Sequence, residues 1–320
     1  MEVKLNTNIG TQALNAIYEE YDAVFIAIGA HSDKKLKLEG EDSNHVISAV
    51  DMLREIGDGA YPDFTGKRVI VVGGGNVAMD CARTAVRARA KTVSIVYRRR
   101  QEDMTALPAE VEGAIAEGIE LLTLRAPIRV EADAQGNAAA LWVQPQMISN
   151  VRDGRPAPKR ANKLEERLEC DVVLVAVGQD IDSEPFEKAG ISTKRGQLQA
   201  DATGALNRVG MYAGGDCVSG PATVIKAIAA GKVAAANIDE FLGFHHEISV
   251  DVEIPEPLLN DKIPCGRVNL AERESWARRT NFEGIEYTMS EEEAQQEASR
   301  CLRCDRHGCG VLRGGRRERW

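Results

Sequence analysis

The sequence lacks the features of several protein classes. Its first residues contain no apolar stretch that could act as a secretion signal. Its longest apolar runs, such as 172–177, are far shorter than the roughly 18 residues that a membrane helix needs. The seven cysteines are odd in number and do not form the frame of a disulfide-rich secreted domain. We therefore expect a cytoplasmic protein without membrane contact.

An excess of positive charge is also absent. The chain has 49 acidic and 40 basic residues, and the resulting net charge of −9 argues against a nucleic-acid partner or an anionic membrane. Its 320 residues, 43% of them apolar, can form about two domains with real cores. A local basic cluster interrupts the acidic character, and we expect an anion as its partner. The cluster consists of Arg83, Arg87, Arg89, Lys91, Arg98, Arg99 and Arg100.

The strongest motif is a glycine loop between a strand and a helix. A buried-strand pattern at 69–72 leads into Gly73-x-Gly75-x-x-Ala78, apolar residues then recur at helical spacing, and 92–97 is a second strand pattern. This βαβ order predicts a parallel sheet. The first glycine permits a tight turn, the second lets the backbone approach a pyrophosphate, and the small third residue lets helix and strand pack closely. The predicted cofactor contacts here are Gly73, Gly74, Gly75, Asn76, Val77 and Ala78.

The residues after the second strand predict which dinucleotide binds. Sites specific for NAD place an acidic residue about 20 residues after the glycine loop, where it binds the ribose 2′-hydroxyl. Here Tyr97-Arg98-Arg99-Arg100 occupies that place, and the first carboxylate is Glu102. Guanidinium groups bind a 2′-phosphate, which a carboxylate would repel. We therefore predict NADP, bound by Arg98 and Arg99, with a solvated basic loop as the alternative.

Two segments 149 residues apart are alike. Asp22-Ala-Val-Phe-Ile-Ala-Ile-Gly29 and Asp171-Val-Val-Leu-Val-Ala-Val-Gly178 share Asp, Val, Ala and Gly at equal offsets. Two similar buried strands would be the simpler explanation, but we prefer a duplication in which each copy closes a nucleotide-binding domain and Gly178 is a cofactor contact. The first copy has only 21 residues before it and no GxGxxG among them. We therefore expect one of the two domains to lack its front half.

A second candidate cofactor-binding motif is a glycine-rich turn that contains an aspartate and is followed by a helix. Gly214-Gly215-Asp216 follows a strand pattern, and an alanine-rich helix at 222–242 follows it. The aspartate could accept a hydrogen bond from a ribityl or ribose hydroxyl, and the helix could point its positive end at an electron-rich ring. Taken alone, such a turn is structurally ordinary.

In combination, these motifs resemble the glutamate synthase small-subunit family. The resemblance rests on 73–80, Tyr97-Arg98-Arg99, the two repeated strands and Tyr212-Ala-Gly-Gly-Asp216, and it covers residues 3 to about 243. It implies a flavoprotein in which an NADPH domain is inserted into an FAD domain and hydride passes from nicotinamide to flavin. It also implies that Gly215, Asp216, Thr223 and Val224 contact FAD.

One large departure accompanies this resemblance. The family's N-terminal FAD loop and the iron–sulfur segment that usually precedes it have no counterpart in these 320 residues. We expect a truncated chain, a split gene product or a subunit that another chain completes, with FAD held weakly by this chain alone. The predicted domains are a partial FAD-type domain (1–64 and 179–244), an NADP-binding domain (65–178) and an extended C-terminal tail (245–320).

Three cysteines near the C-terminus have the spacing of metal ligands. Cys301-x2-Cys304-x4-Cys309 resembles the first three ligands of iron–sulfur segments in relatives, but position 313, where the fourth would fall, is arginine. Cys265 or a partner could supply the fourth ligand. The alternative is reduced structural cysteines or an interaction tail.

Two functional hypotheses follow from the sequence. The first is an enzyme that passes hydride from NADPH to FAD and sends the electrons to an electron-accepting or iron–sulfur partner subunit, with a homodimer also open. We name no catalytic side chain, because the cofactors carry hydride chemistry and the protein orients them. Residues 67–178 contain no Cys-x-x-Cys, which argues against thioredoxin-reductase chemistry. The second hypothesis is a non-catalytic nucleotide-binding subunit.

Overall fold

The structure is a computed structural model that describes residues 2–152, 155–246 and 265–301. Its helices are Thr11–Glu20 (α1), Ala49–Gly57 (α2), Asn76–Arg87 (α3), Pro108–Ala116 (α4), Glu184–Lys188 (α5), Asp216–Ser219 (α6), Val224–Phe241 (α7), Ser275–Arg278 (α8) and Glu291–Ser299 (α9). Its strands are Val24–Ile26 (β1), Ser32–Asp33 (β2), Val46–Ser48 (β3), Arg68–Val72 (β4), Thr92–Tyr97 (β5), Glu120–Thr123 (β6), Arg125–Ala132 (β7), Ala138–Arg152 (β8), Arg155–Arg160 (β9), Glu166–Glu169 (β10), Val172–Val175 (β11), Gln179–Asp180 (β12), Thr193–Lys194 (β13), Gln197–Leu198 (β14) and Met211–Ala213 (β15).

The described residues form two compact units. One contains residues 30–182 together with 274–283, and the other contains 2–29, 183–246, 265–273 and 284–301. The predicted limits of the cofactor-binding domains stay a prediction. No described helix combines the length and the apolar character that crossing a bilayer requires.

A five-stranded parallel sheet organises the first unit. Its order is β3-β11-β4-β5-β6, so β4, which leads into the glycine loop, is central. β4, α3 and β5 form the predicted βαβ unit, and β5 has the predicted limits, Thr92–Tyr97. The predicted Rossmann-like α/β fold is confirmed.

Both faces of this sheet are buried, against different partners. Val69 and Val71 belong to one core with apolar residues of α2, α3 and α4. Ile70 and Val72 face the other way and pack with buried residues of an antiparallel sheet, β10-β8-β7, to which β9 is joined through β8. Because the side chains of a strand alternate between faces, the unbroken apolar run of β4 fits a strand covered on both sides.

The predicted helices begin close to the expected residues. The alanine-rich pattern at 222–242 forms α7, and α4 begins with Pro108 in its first turn. α9 begins after a capping box: Ser290 Oγ accepts from the Glu293 amide at 3.2 Å, and the Glu293 carboxylate accepts from the Ser290 amide at 2.8 Å.

The basic cluster has a partner inside the protein. The buried Glu117 carboxylate pairs with Arg83 at 2.8 Å, Arg87 at 2.7 Å and Arg278 at 3.0 Å. Burial raises the pKa of Glu117, but hydrogen bonds from Arg87 and Arg83 outweigh it, and the pKa lies below its usual value. The expectation of an external anion is therefore wrong for Arg83 and Arg87. Sequence spacing could not reveal this, because Glu117 and Arg278 come from distant parts of the chain.

The two copies of the repeat are both strands of parallel sheets. β1 pairs with β15, and β11 lies between β3 and β4. Glycines with positive φ follow both strands, Gly29 at 68° and Gly178 at 125°. The duplication itself stays a prediction.

The aspartate that precedes β11 gives a testable pH dependence. Asp171 binds Arg68 at 3.0 Å, and hydrogen bonds from that arginine lower the pKa of Asp171 to about 2. A lowered folded-state pKa stabilises the fold above the unfolded-state pKa, near 3.9 for aspartate, and this contribution is lost as the pH falls towards 2. Asp171→Asn should cost about 1 kcal/mol or less at pH 7, and the difference from wild type should shrink below about pH 4. Urea unfolding at several pH values measures this difference.

Asp182→Asn is the control, since Asp182 is exposed and forms no ion pair with a described residue. It should leave both the stability at neutral pH and its pH dependence unchanged. A constant difference between Asp171→Asn and wild type from pH 7 to pH 3 would contradict the assignment.

Candidate functional site

The glycine loop lies at the carboxyl edge of the parallel sheet, where β4 ends. A Cβ on Gly73 would lie 2.2 Å from the carbonyl oxygen of Ala176, just beyond the end of the neighbouring strand β11. The Gly73 amide donates to the Val96 carbonyl on the other side, at 3.1 Å. The backbones of β5 and of the residue after β11 therefore lie so close to position 73 that only glycine fits there.

The next glycine is required for a different reason. A Cβ on Gly74 would lie 2.5 Å from the ring of Tyr97, which is buried and whose hydroxyl donates to the Asp103 carbonyl at 2.8 Å. The Gly74 carbonyl accepts from the amides of Thr105 and Ala106, at 2.9 and 3.1 Å. A loop that follows β5 thus folds back and fixes the glycine loop from the outside.

The third glycine begins α3. Gly75 is extended at the N-cap, and its carbonyl accepts from the amides of Ala78 and Met79, at 2.9 and 3.3 Å. This leaves the amides of Asn76 and Val77 at the helix start, where donors and the helix dipole favour an anion. Ala78 is fully buried in the helix–sheet core, as the motif requires.

Asn76 supports the loop through its side chain. Its Oδ1 accepts from the Leu107 amide at 2.9 Å, which ties the start of α3 to the residue before α4. The glycine loop is therefore held by β11, by Tyr97 and by the loop before α4. Such framing gives a rigid backbone surface of the kind that a pyrophosphate can approach.

The three arginines after β5 differ in their hydrogen-bond and ion-pair partners. Arg100 is paired with Asp103 at 2.9 Å, and Arg99 donates its Nε to the Pro156 carbonyl at 2.9 Å. Arg98 is exposed and makes no hydrogen bond or ion pair with any described residue. The structure thus leaves Arg98, and the terminal nitrogens of Arg99, for an external anion.

Gly178 lies three residues beyond the end of β11, at the same edge of the sheet as Gly73. Its φ is 125° and its carbonyl accepts from the Lys34 amide at 3.1 Å. The predicted nucleotide contacts at Gly73–Ala78, Arg98, Arg99 and Gly178 therefore all belong to one unit and follow the carboxyl ends of adjacent parallel strands β11, β4 and β5. Nucleotides bind at this edge in open α/β sheets.

The other predicted contacts belong to the second unit. Gly215 has a φ of 76° and Asp216 begins the short α6. Asp216 Oδ1 accepts from the Ala222 amide at 3.1 Å, so one carboxylate oxygen shapes the turn. The side chain of Thr223 caps α7 by accepting from the Lys226 amide at 3.4 Å. These contacts fit the turn and helix start expected from the motif.

The first half of α7 is apolar and exposed. Val224 is 74% exposed, Ile225 79% and Ile228 56%. Ala234 is the only residue of this helix that is buried among the described residues. A helix of this composition normally faces a protein core.

The metal-site prediction falls partly outside the described residues. Cys304 and Cys309 lie there, whereas Cys301 and Cys265 are described and exposed. Cys81 and Cys170 are buried, and burial raises the pKa of each thiol to about 12, so both are structural.

Sequence reasoning missed the residues that frame the loop. Thr105 and Leu107 carry no motif, and Tyr97 belongs to the Tyr97-Arg98-Arg99 motif but had no predicted role in the loop. The roles of all three depend on the return of the chain after β5. The local signal was Pro108, which marks a helix start and hence a turn just before it.

The parallel sheet with a glycine loop at its carboxyl edge defines the class, a Rossmann-type nucleotide-binding protein. The sequence profile of the family "Pyridine nucleotide-disulphide oxidoreductase" matches residues 11–231. The chain belongs to this family.

Curated relatives include members of the family that the sequence motifs resemble. The chain is 36% identical to the NADP(+)-dependent formate dehydrogenase subunit beta of Moorella thermoacetica over 98% of its own length and 46% of that protein. It is 33% identical to the NADPH-Fe(3+) oxidoreductase subunit beta of Geobacter sulfurreducens, over 96% and 52%. It is 32% identical to the glutamate synthase [NADPH] small chain of Escherichia coli, over 76% and 55%. The resemblance to the glutamate synthase small-subunit family is confirmed, and the chain spans about half the length of these relatives.

Solved structures agree on the fold. FprA of Mycobacterium tuberculosis in complex with NADPH matches with a TM-score of 0.57 at 21% identity, over 72% of this chain and 65% of FprA. Thioredoxin reductase of T. acidophilum matches with a TM-score of 0.55 at 22% identity, over 68% and 65%.

Gly74→Ala tests the framing of the loop. Its methyl group would collide with a buried, anchored ring, and overpacking of this kind costs about 1–3 kcal/mol. We expect NADPH affinity to fall about tenfold or more because the loop must shift. Fluorescence titration measures the affinity.

Gly231→Ala is the matched control, since a Cβ at Gly231 in α7 meets nothing within 4 Å. Equal NADPH affinities for both variants would show that the loop does not contact the dinucleotide.

Proposed function

We propose that this chain binds NADPH at the glycine loop and passes its hydride to FAD, from which electrons continue to a partner subunit. The observation that carries this proposal is the framed glycine loop, followed after β5 by the exposed Arg98, whose guanidinium pairs with no described residue. Gly73 and Gly74 allow the close packing against Ala176 and Tyr97 that fixes the loop, and the open amides at the start of α3 can bind phosphate. Arg98 and Arg99 then select the 2′-phosphate of NADP.

The second unit supplies part of the flavin site in this proposal. Gly215, Asp216 and the helix start at Thr223 and Val224 would contact FAD, and the second carboxylate oxygen of Asp216 would accept from a hydroxyl. FAD supplies the hydride acceptor and the ability to release electrons singly. The chain's own residues hold and orient the two cofactors.

Polypeptide outside the 320 residues would complete this flavin site. β1 and β15 pair with each other in parallel as a two-stranded sheet, and parallel sheets are normally larger and covered on both faces. The exposed apolar side chains of Val224, Ile225 and Ile228 need such a cover. The relatives are about twice as long as this chain, which agrees with additional polypeptide.

The same observations favour a second candidate function. A chain with a complete nucleotide edge and an incomplete flavin half could serve as a nucleotide-binding subunit without activity of its own. The names of the relatives, "subunit beta" and "small chain", support a partner subunit in either case. We propose an electron-accepting or iron–sulfur partner over a homodimer, and the cytoplasm as the location.

Arg98→Ala should weaken NADPH binding about ten- to a hundredfold and change NADH binding little. The reason is that a hydrogen bond to a charged group contributes about 1.5–3 kcal/mol and NADH has no 2′-phosphate. Fluorescence titration with both reduced cofactors measures this. Arg100→Ala is the control, because Arg100 is already paired with Asp103 and should not alter the preference. Equal wild-type affinities for NADPH and NADH would refute the specificity.

The yellow colour of bound flavin and the rate of NADPH-dependent dye reduction distinguish the two candidate functions. A yellow purified protein that reduces an artificial dye with NADPH, with FAD added if needed, is the expected result. A colourless protein that binds NADPH but reduces no acceptor, even with FAD, would overturn the enzyme proposal in favour of the binding subunit.

A further inference from the structure

A lysine that belongs to no sequence motif lies at the nucleotide edge of the parallel sheet. Lys34 directly follows β2, which pairs antiparallel with β12 through Asp33 and Gln179. The Lys34 amide also donates to the Gly178 carbonyl at 3.1 Å. The two-stranded ribbon therefore fixes the backbone of Lys34 beside the carboxyl end of β11.

The side chain of Lys34 lies against the same glycine. A Cβ on Gly178 would be 3.5 Å from Lys34 Cδ, so the aliphatic stem of the lysine passes over the backbone there. Lys34 is exposed, and its ammonium forms no ion pair with a described residue. The carboxylates of the ribbon, Asp33 and Asp180, are included in this statement. The structure thus leaves the positive charge of Lys34 for a ligand.

The strand order gives the position of Lys34 relative to the glycine loop. The carbonyl oxygen of Ala176, two residues before Gly178, lies against Gly73, the first residue of the loop. Strands β11, β4 and β5 are neighbours in the parallel sheet, with β4 in the middle. Lys34, the glycine loop and Arg98 lie at their respective carboxyl ends. Lys34 therefore flanks the loop on the side opposite to Arg98.

The glycine loop itself supplies no positive side chain. Residues 73–82 contain one charged residue, Asp80. The next cation along the chain, Arg83, is already paired with Glu110 and Glu117. The start of a helix offers only about half a positive charge, whereas a dinucleotide pyrophosphate is doubly negative. In a chain whose net charge is −9, a free cation beside the loop is therefore a strong candidate for a phosphate contact.

We propose that the Lys34 ammonium binds the dinucleotide pyrophosphate from its nicotinamide side, an inference that rests on the proposed binding of NADPH at the loop. With the 2′-phosphate at Arg98 and Arg99 after β5, the adenosine half lies on that side of the loop. The nicotinamide half then extends over β11, where Lys34 is anchored. A lysine acts on phosphate as a point charge. Lys34 thus adds affinity for either reduced cofactor and no preference between them.

Lys34→Met tests this assignment, because methionine keeps an aliphatic stem over Gly178 and removes the charge. We expect the affinities for NADPH and NADH to fall together by about three- to tenfold, since solvent screens an exposed pair. The affinity for 2′-AMP, which has the 2′-phosphate but no pyrophosphate, should not change. Lys34→Arg should keep most of the wild-type affinity because it keeps the charge. Fluorescence titration measures both reduced cofactors, and competition against NADPH measures 2′-AMP.

Lys35→Met is the matched control. It removes the same charge one residue further along, from a side chain that is already paired with Asp42 at 3.8 Å. All three affinities should stay at their wild-type values. An equal loss in Lys35→Met, or a loss for 2′-AMP that matches the loss for NADPH, would reveal a long-range charge effect and overturn the assignment.

The same titrations separate this assignment from the proposed function. Wild-type protein that binds neither NADPH nor NADH overturns both. NADPH binding that Lys34→Met leaves unchanged overturns only the role of Lys34. Equal wild-type affinities for the two cofactors, weakened alike by Lys34→Met, overturn the choice of NADP and support the role of Lys34.

Discussion

The backbone of the glycine loop depends on contacts that leave no room for a side chain. Ala176 approaches Gly73 from the neighbouring strand, the Tyr97 ring covers Gly74, and the amides of Thr105 and Ala106 fix the Gly74 carbonyl. These contacts hold a tight turn between a central strand and a helix start. They make the edge of the sheet a preformed backbone surface, which is where we propose that phosphate binds, and the specificity proposed for Arg98 is meaningful only next to that surface.

The same crowding explains how far the sequence could predict the site. The motif Gly73-x-Gly75-x-x-Ala78 predicts a turn because local chain geometry requires small residues there. The strand before it and the helix after it are predicted by the short-range periodicity of apolar residues. The requirement for glycine at position 74 could not be predicted from the sequence, because it comes from a tyrosine ring that the fold places over this residue. Arg83 and Arg87 looked like ligands for an external anion until the fold supplied Glu117. Local rules predict turns and elements, whereas partners from distant segments have to be observed.

The second unit differs from the first in how completely it is covered. The five-stranded sheet is buried on both faces, by helices on one side and by an antiparallel sheet on the other. By contrast, α7 exposes an apolar surface next to a turn with the geometry expected of a flavin contact. The described residues thus leave the apolar surface of α7 without a cover beside the proposed flavin contacts.

We propose that NADPH bound at this loop reduces FAD. The most direct measurement is an anaerobic titration of the FAD-loaded protein with NADPH, followed by flavin absorbance. We expect stoichiometric bleaching of the flavin by NADPH and much weaker bleaching by NADH at equal concentration. A flavin that stays oxidised while NADPH is bound would contradict it.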